Sequence, residues 1–172
     1  MILDICPATH DDISYIHRIE QFIESHYPAN RQTLINRLEM FPDGFLIAKY
    51  DHQLIGYIES CIWNEESFST YQDICQFSNF HNSNGMILFV IFIGVDKQYQ
   101  KMGVGSLLLD ALKVRIKKRY PHIKKVNLVS KQKYVNNFYR KNDFQKIKRL
   151  PDYTFEYPGV LMEYRFDCAP LS

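Results

Sequence analysis

The chain has little cysteine and no apolar run long enough to cross a membrane as a helix. Its 172 residues include four scattered cysteines without a C-x-x-C pair, which argues against a disulfide framework or a structural zinc site. No run approaches the ~20 apolar residues that span a bilayer, and the N-terminus M-I-L-D-I-C lacks the basic region of a secretory signal. We therefore expect one cytoplasmic domain over residues 1–172, without membrane attachment or bound metal. The cysteines are Cys6, Cys61, Cys75 and Cys168.

Acidic residues are nearly absent from residues 111–150. That segment holds fourteen of the 21 Lys and Arg residues and a single acid, Asp143, whereas the rest of the chain is acidic overall. Two interpretations stay open: solvated helix faces, or a basic half that faces an anionic cofactor and an acidic half that faces a cationic substrate. Nucleic acid is the less favoured partner, because the segment has no motif of aromatic residues for stacking on bases.

The remaining patterns predict a mixed α/β domain with the element order β-α-α-β-β-β-α-β-α-β-β. A first helix follows a Thr9-x-x-Asp12 capping box, with Glu20 expected to point outward, and Asn30 is expected to cap a second helix. The polar segment Asn64–Gly85 is expected to form a long loop, a type that is often functional. The predicted strands are Ile2–Cys6, Phe45–Tyr50, Leu54–Trp63, Met86–Val95, Ile123–Ser130, Phe144–Leu150 and Gly159–Phe166.

The stretch from Met86 to Ile116 combines a strand, a glycine loop and a helix. Its first ten residues are apolar and rich in β-branched and aromatic types, which favours a strand buried on both faces. After the loop Q-K-M-G-V-G, the unpaired N–H groups and the dipole of the helix N-terminus would bind phosphate. Gly103 and Gly105 are expected to let the backbone approach the anion. The predicted buried stripe of the helix is Val104, Leu107, Leu108, Ala111 and Leu112.

The spacing of this loop differs from a Walker loop, because G-K-[ST] is missing, and from G-x-G-x-x-G. The order Gln-x-x-Gly-x-Gly, after a strand that ends in Val-Asp-Lys, resembles the pyrophosphate loop of the GNAT acyl-CoA N-acyltransferases. The resemblance implies a mixed, mostly antiparallel sheet of about seven strands with about four helices, its fourth and fifth strands splayed around acyl-CoA. The residues that it implies for binding acetyl-CoA are Ile93, Gly94, Val95, Gln100, Lys101, Met102, Gly103, Val104, Gly105 and Ser106.

A second motif, V-N-N-F-Y-R-K-N-D-F, is similar to the family segment F-Y-x-x-x-G-F. The resemblance makes Tyr139 the general acid that protonates the departing CoA thiolate, and Phe138 and Gln132 further contacts of the cofactor. The structural alternative is a buried tyrosine whose hydroxyl is merely satisfied. Two positions depart from the family pattern, since Asp143 stands at its glycine and Gln132 at its asparagine.

Several looser segments, among them I-E-Q-F-I-E-S and R-L-E-M-F-P-D-G-F, resemble the arylalkylamine N-acetyltransferases within that family. By this resemblance Met40, Phe41 and Pro42 would help to wall an amine pocket, and Trp63 belongs to a set of nearby aromatic residues that suits an aromatic amine. Core packing is the alternative for such aromatic residues. The preferred acceptor is therefore a small aromatic or alkyl amine.

The general base is less apparent, because the fourth strand lacks the two histidines that vertebrate members of that group use as a proton relay. Phe89 and Ile91 stand at the matching positions, and no acid or histidine occurs in Met86–Val95. A protonated amine must lose a proton before it attacks a thioester, so a base or a water chain is needed. Glu59 on the third strand is the first candidate, against the alternative of a surface carboxylate. Weaker candidates are Glu65, Glu66, Asp73 and His81.

Together these patterns predict an N-acetyltransferase that moves an acetyl group from acetyl-CoA to a primary amine by direct attack in a ternary complex. A protein or peptide N-terminus, a lysine and a polyamine are alternative acceptors. A GNAT-fold module that binds acyl-CoA without turnover is the alternative from another class. The chain is expected to be a monomer or a homodimer, because its apolar final strand could pair with a second copy.

Overall fold

The computed structural model describes residues 3–23, 28–64, 81–131, 135–151 and 158–166. Within these ranges the chain forms seven strands and four helices. The helices are α1 (Ile13–Ile23), α2 (Arg31–Met40), α3 (Val104–Arg119) and α4 (Val135–Lys141). The strands are β1 (Leu3–Pro7), β2 (Phe45–Tyr50), β3 (Gln53–Trp63), β4 (Ile87–Val95), β5 (Lys125–Lys131), β6 (Gln145–Leu150) and β7 (Gly159–Arg165). None of the described helices has the length and apolar character needed to span a bilayer.

The strands form one mixed sheet in the order β1-β2-β3-β4-β5-β7-β6. Strands β1 and β2, β2 and β3, β5 and β7, and β7 and β6 are antiparallel, whereas β4 and β5 are parallel. The predicted fold class, an α/β domain with a mostly antiparallel mixed sheet, is thereby confirmed. The strand bounds predicted from apolar patterns also agree with the observed ones to within two residues.

Strand β4 pairs with β5 along only the first part of its length. The parallel register joins Ile87–Val90 to Lys125–Leu128. Beyond that register β4 continues to Val95, and residues 91–93 are half-exposed although they belong to a central strand. The end of the pairing matches the separation of the fourth and fifth strands that the family resemblance implies.

The chain divides into two compact units, and the division falls within β3 and within β4. One unit contains Met1–Ser60 and Phe92–Ile116, and the other contains Cys61–Ile91 and Lys117–Ser172. In the first unit, α1, α2, β2 and β3 contribute to one apolar core. Its buried members include Ile13, Ile16, Ile19, Leu34, Leu38, Phe45, Ile47, Leu54 and Tyr57.

Helix α1 buries one face, and that face includes an acid. The Asp12 carboxylate accepts the Thr9 backbone N–H at 2.9 Å, so the acidic half of the predicted capping box is present. Glu20 lies seven residues after Ile13, hence on the same side of the helix, and only 3% of its surface is exposed. The expectation that Glu20 points outward is therefore wrong. In α2, the predicted cap is confirmed, since Asn30 Oδ1 accepts the Thr33 N–H at 2.8 Å.

Helix α3 is buried on a face rotated from the predicted one. Val104, Leu108 and Leu112 are buried as expected, but Leu107 is exposed. Leu109 and Ile116, which the predicted stripe did not include, are fully buried. The five predicted positions fit helical spacing, yet a helix with leucine at three consecutive positions offers more than one apolar stripe. Packing within the folded unit decides which stripe is buried.

In the second unit, β7 lies between β5 and β6. Strand β7 is buried along most of its length, whereas β6 is almost entirely exposed and carries Lys146, Lys148 and Arg149. Positive charge on an edge strand discourages pairing with another chain, which is a common protection against aggregation. Trp63 at the end of β3 packs on Phe89 of β4, with ring centroids 6.0 Å apart.

A close approach of backbones in the first unit generates a stability prediction. A Cβ placed on Gly56 would lie 2.9 Å from the carbonyl oxygen of Gly94, which is backbone and cannot yield without a shift of the strand. We predict that Gly56→Ala lowers the free energy of unfolding by about 1–3 kcal/mol, measured by urea denaturation. Gln53→Ala, at the exposed start of the same strand, is the control and should change it by less than about 0.5 kcal/mol. Equal values for Gly56→Ala and wild type would contradict the close approach.

Candidate active site

The segment between β4 and α3 is anchored at its start by hydrogen bonds. The Asp96 N–H donates to the Ile55 carbonyl at 2.8 Å. Asp96 Oδ1 accepts the Gln98 N–H at 3.0 Å and so begins the short 3-10 turn Lys97–Tyr99. The approach to α3 is thereby attached to β3 and to the end of β4.

A left-handed turn then leads into α3. Lys101 has φ 64° and Gly103 has φ 86°, both in the left-handed region. A Cβ on Gly103 would meet no atom within 4 Å, so the backbone there opens onto free space. Residues 101–103 are exposed. An anion can therefore reach this backbone without displacing a side chain.

The first turn of α3 presents unpaired N–H groups beside that open backbone. The Leu107 N–H donates to the Gly103 carbonyl at 3.1 Å, as the first bond of the helical pattern. The N–H groups of Val104, Gly105 and Ser106 precede that bond, and the helix dipole places partial positive charge at the same end. Gly105 is the second residue of α3 and its φ is not positive. The arrangement can hold a phosphate or pyrophosphate group through backbone alone.

Gln100 braces the loop. Its side-chain Nε2 donates to the carbonyl of Val95 at 3.1 Å, so the amide connects the loop to the end of β4. Sequence reasoning expected this side chain to contact the cofactor directly. Its placement indicates a second contribution, which is to keep the loop and the strand end at a fixed separation.

Strand β4 contains Gly94, one of the residues that the resemblance implies for binding acetyl-CoA. A Cβ on Gly94 would lie 3.0 Å from Cε1 of Tyr57 and 3.1 Å from Cε1 of Phe92. The rings of Tyr57 and Phe92 are stacked, with centroids 5.6 Å apart. Ile93 and Val95, which the resemblance also implies for binding acetyl-CoA, are half-exposed on either side of the buried Gly94. This face of β4 thus rests directly on Tyr57.

Glu59 is buried and paired. Its Oε1 accepts from Nη1 of Arg37 on α2 at 2.6 Å, and only 1% of its side chain is exposed. The alternative of a surface carboxylate is therefore wrong. Burial raises the pKa of Glu59 to about 7, the negative charge of Glu20 adds to the rise, and the Arg37 guanidinium opposes it. A carboxyl with such a pKa can exchange a proton near neutral pH.

Two further groups surround this pair. Glu20 Oε1 accepts the Ala29 N–H at 2.8 Å, and burial raises the pKa of Glu20 as it does that of Tyr57. The Tyr57 hydroxyl lies beside Glu20 and acts on its pKa as a hydrogen-bond donor. The second carboxylate oxygen of Glu59 is buried and has no hydrogen-bond partner among the described residues. We call Glu20, Arg37, Tyr57 and Glu59 the buried charge cluster. Within the described ranges, no group of three or more His, Cys, Asp and Glu side chains is placed to hold a metal ion.

Sequence reasoning found Glu59 and missed the rest of the buried charge cluster, although a signal was present. Arg37 lies three residues after Leu34 and one before Leu38, both buried on the same face of α2. Glu20 continues the apolar stripe of α1 in the same manner. A charged residue at a core position of an amphipathic helix implies a buried partner of opposite charge, because an unpaired buried charge is costly.

Tyr139 is buried in the second unit. Its ring lies between those of Phe138, at 5.1 Å, and Phe144, at 5.8 Å, in edge-on contacts. Burial raises the pKa of the Tyr139 phenol, so the group keeps its proton throughout the physiological range. Phe138 is half-buried, and its carbonyl accepts from the side-chain amide of Asn142 at 2.9 Å.

Asp143, at the position of the glycine in the family motif, has a left-handed backbone conformation. Its φ is 66°, and the preceding helix closes there, with the Phe144 N–H donating to the Tyr139 carbonyl at 3.0 Å. Aspartate tolerates the left-handed region better than most residues other than glycine. The departure from the motif therefore preserves the turn after α4.

The remaining predicted residues are dispersed. In the first unit Phe41 is buried against Gly44 and Pro42 is exposed. In the second unit Trp63 is buried, and His81 Nδ1 accepts the Ile62 N–H at 3.3 Å; burial lowers the pKa of His81. Three acids and one cofactor contact lie outside the described residues: Glu65, Glu66, Asp73 and Gln132.

Part of the basic segment serves internal ion pairs. Arg115 Nη2 lies 2.6 Å from Asp43 Oδ1 in the first unit, and Lys125 Nζ lies 3.0 Å from Glu163 Oε2 in the second. Exposed cations follow at the end of α3, from Lys117 to Arg119. Lys113 Nζ also lies 2.8 Å from Asp110 Oδ1, so within the described residues at least three charges of the segment are paired. The exposed cations fit either interpretation.

Removal of Arg37 should leave the buried Glu59 carboxylate without its cationic partner. We predict that Arg37→Leu lowers the free energy of unfolding by about 3–5 kcal/mol at pH 8, measured by chemical denaturation. A carboxyl whose pKa is raised in the folded state contributes stability below its unfolded pKa and loses it as the pH rises through the folded value. The loss in Arg37→Leu should therefore be smaller at pH 5.

Two further variants control that experiment. Arg31→Leu removes an exposed arginine from the same helix and should cost less than about 1 kcal/mol. The double variant Arg37→Leu, Glu59→Leu removes both charges and should recover most of the loss. An Arg37→Leu protein as stable as Arg31→Leu at pH 8 would show that the pair is not the buried constraint described above.

Known proteins resemble this chain in sequence. The Acetyltransferase (GNAT) family model matches residues 12–144. N-alpha-acetyltransferase 60 of Xenopus tropicalis is 27% identical over 158 residues, which cover 90% of this chain and 64% of that protein. The chain spans less still, 33% and 18%, of two other curated relatives.

Solved structures share the fold at low identity. The loading GNATL domain of CurA from Lyngbya majuscula has a TM-score of 0.83 at 16% identity, with 96% of this chain and 98% of that chain covered. Arabidopsis thaliana Naa50, solved with the bisubstrate analogue CoA-Ac-MVNAL, has a TM-score of 0.72 at 14% identity, with 96% and 100% covered. The arylalkylamine subgroup stays a prediction. Because the family match includes the loop before α3 and reaches Phe144, this chain belongs to the GNAT acetyltransferase family.

Proposed function

We propose that this chain moves an acetyl group from acetyl-CoA to a primary amine by direct attack in a ternary complex. The single observation that carries the proposal is the open, left-handed turn at Lys101–Gly103 followed by the unpaired N–H groups of α3. Backbone N–H groups from Lys101 to Ser106, including those of Met102 and Val104, would hold the pyrophosphate. Gln100 would keep this loop in register with β4.

Backbone groups at the end of β4 would hold the rest of the donor. We propose that Ile93, Gly94 and Val95 bind the pantetheine arm and polarise the thioester carbonyl. The end of the parallel register at Val90 supports this role, because β4 continues past the residues that it pairs with β5. Phe138 and Gln132 keep their proposed cofactor contacts by resemblance.

The acceptor must arrive as a neutral amine. An ammonium group has no lone pair, so a base must take one proton before the attack on the thioester carbon. We propose that Glu59 receives it through water, since its carboxyl is buried and its pKa lies near 7. A base that titrates close to the operating pH combines a useful ionised fraction with a useful affinity for the proton.

The leaving thiolate needs a hydrogen-bond donor, and we propose Tyr139 for that role. The proposal rests on the F-Y-R-K-N-D-F motif and on the protonated state that burial maintains. A thiol ordinarily has a pKa near 8.5, well below that of this phenol, so complete transfer of the phenolic proton would be uphill. A hydrogen bond from Tyr139 that stabilises the thiolate is the role consistent with that difference. The thiolate then takes the second proton, which the acceptor nitrogen loses as the amide forms.

For the acceptor class, we favour the α-amino group of a peptide over a small aromatic amine. A relative that covers 90% of this chain is named as an N-alpha-acetyltransferase, and Naa50 was solved with an analogue that joins CoA to a peptide. Phe41 and Trp63 are buried within their units, so neither ring offers an exposed face to a small aromatic amine. Arylalkylamines remain the competing acceptors, with Phe41, Pro42 and Trp63 as their proposed contacts, followed by lysine and polyamines.

The first test is binding of acetyl-CoA, measured by isothermal titration calorimetry. We expect micromolar binding by wild type and its loss in Gly103→Glu, because the new carboxylate would occupy the place of the pyrophosphate. Val114→Glu adds the same charge to an exposed position of α3 and should bind as wild type does. Gly103→Ala, which changes the backbone preference without adding charge, should bind with intermediate affinity. Equal binding by wild type and a folded Gly103→Glu would remove this loop as the cofactor site.

The second test is turnover over a panel of acceptors, measured as release of free CoA thiol. The panel contains a peptide with a free N-terminus, an N-terminally blocked lysine peptide, an arylalkylamine and a polyamine. We expect the highest kcat/KM with the free N-terminus, and a roughly 10²-fold lower kcat in Tyr139→Phe with little change in the Kd of acetyl-CoA. Tyr15→Phe, an exposed phenol on α1, is the control.

The same panel separates the alternatives. Acetyl-CoA binding without turnover on any acceptor would replace the enzyme with a non-catalytic acyl-CoA-binding module. Turnover that is unchanged in Tyr139→Phe would remove the proposed donor while leaving the reaction in place. A preference for the arylalkylamine would restore the small-amine prediction.

A further inference from the structure

The structure points to a role for Glu20 that rests on the proposed function of Glu59. We propose that Glu20 is a positioning residue, whose negative charge makes Glu59 share one exchangeable proton with it and so keeps Glu59 basic enough to accept a proton from the acceptor amine. Neither Glu20 nor Arg37 touches the reacting atoms in this proposal. Both act through Glu59.

The charge count of the buried charge cluster is the first argument. Two carboxylates, from Glu20 and Glu59, accompany one guanidinium, from Arg37, and all three side chains are more than nine-tenths buried. Fully ionised, the cluster would carry one uncompensated negative charge in the core, which is costly. Uptake of one proton between the two carboxylates removes that charge, as in other closely interacting carboxylate pairs.

The second argument is a buried carboxylate oxygen of Glu59 that has no hydrogen-bond partner among the described residues. Arg37 occupies one oxygen of Glu59, and the Ala29 N–H occupies one oxygen of Glu20. The Tyr57 hydroxyl acts on Glu20 as a hydrogen-bond donor, whereas the other oxygen of Glu59 is buried without a hydrogen-bond partner in the described ranges. A proton shared with Glu20, or a water molecule that carries it, would satisfy that oxygen.

The position of Tyr57 is the third argument. Its ring stacks on Phe92, and its edge lies against the backbone of Gly94. The cluster therefore lies directly beneath the part of β4 that we propose to hold the thioester. His17 on α1 also faces Glu20 and opposes the rise in its pKa. The titratable and charged groups around Glu59 are thus Glu20 from α1, Arg37 from α2 and Tyr57 from β3, with His17 acting on Glu20. The neighbour of Glu59 across β2 is Phe45.

The test is the pH dependence of kcat/KM in Glu20→Gln. The glutamine carbonyl can still accept the Ala29 N–H, so the connection from α1 to α2 is retained while the charge is removed. Wild type should lose activity below about pH 7, as Glu59 becomes protonated. In Glu20→Gln the midpoint of this loss should fall by roughly one pH unit, because a repelling charge is gone, and Glu20→Asp should restore the wild-type midpoint in part.

Glu39→Gln, which removes an exposed carboxylate from α2, should leave the midpoint in place. A residue that acted only in folding would lower kcat/KM equally at all pH values. A midpoint that stays unchanged or rises in folded Glu20→Gln would overturn the proposal.

Carbon-13 NMR of the glutamate carboxyls, recorded without acetyl-CoA, separates this inference from the proposed function. In wild type, the signals of Glu20 and Glu59 should each show inflections at the same two midpoints, because the pair titrates as a unit. Independent single midpoints would overturn the sharing, even if Glu20→Gln fails to fold. Coupled midpoints in a protein that transfers no acetyl group would support the sharing and remove the enzymatic role. An active enzyme with independent midpoints would overturn the sharing and leave the enzymatic role in place.

Discussion

The buried ion pair of Arg37 and Glu59 is the constraint on which the first unit depends. A carboxylate in the core cannot remain charged without a partner, so α2 must pack on β3 with its arginine directed inward. Glu20 extends the same constraint to α1, because its carboxylate accepts the Ala29 N–H, just before Asn30 caps α2. The relative placement of α1, α2 and β3 is therefore set by charge as well as by apolar packing.

Acetyl-CoA recognition, as proposed, depends on backbone far more than on side chains. The left-handed turn at Lys101 and Gly103 and the helix that follows supply N–H groups, and the amide of Gln100 bonds to the protein rather than projecting freely. Donor recognition of this kind leaves the acceptor side free to vary. Proteins that share this fold at 14–16% identity include a loading domain and Naa50, in keeping with a fold that hosts different functions.

Much of the fold was predictable from sequence, because its signals are local. A β-branched strand, a glycine turn and the Asn30 cap each act within a few residues. The buried face of α3 was not, since consecutive leucines allow several stripes and only the packed unit selects one. Glu20 was placed wrongly because the type of residue outweighed its helical position. The bond from Gln100 to Val95 was equally out of reach, because it depends on how the chain turns between them.

Burial raises the pKa of both groups proposed for proton chemistry, Glu59 and Tyr139, and the two rises suit opposite roles. Burial raises the pKa of Glu59 to about 7, which converts an ordinary carboxylate into a base that works near neutral pH. Burial also raises the pKa of Tyr139, which keeps that phenol protonated and able to donate. Desolvation penalises the charged form of either group, so it favours the acid form in both. For a carboxyl this creates basicity, and for a phenol it preserves a hydrogen-bond donor. The proposed role of Tyr139 therefore needs no charged neighbour. The proposed role of Glu59 also depends on the buried charge cluster beside it.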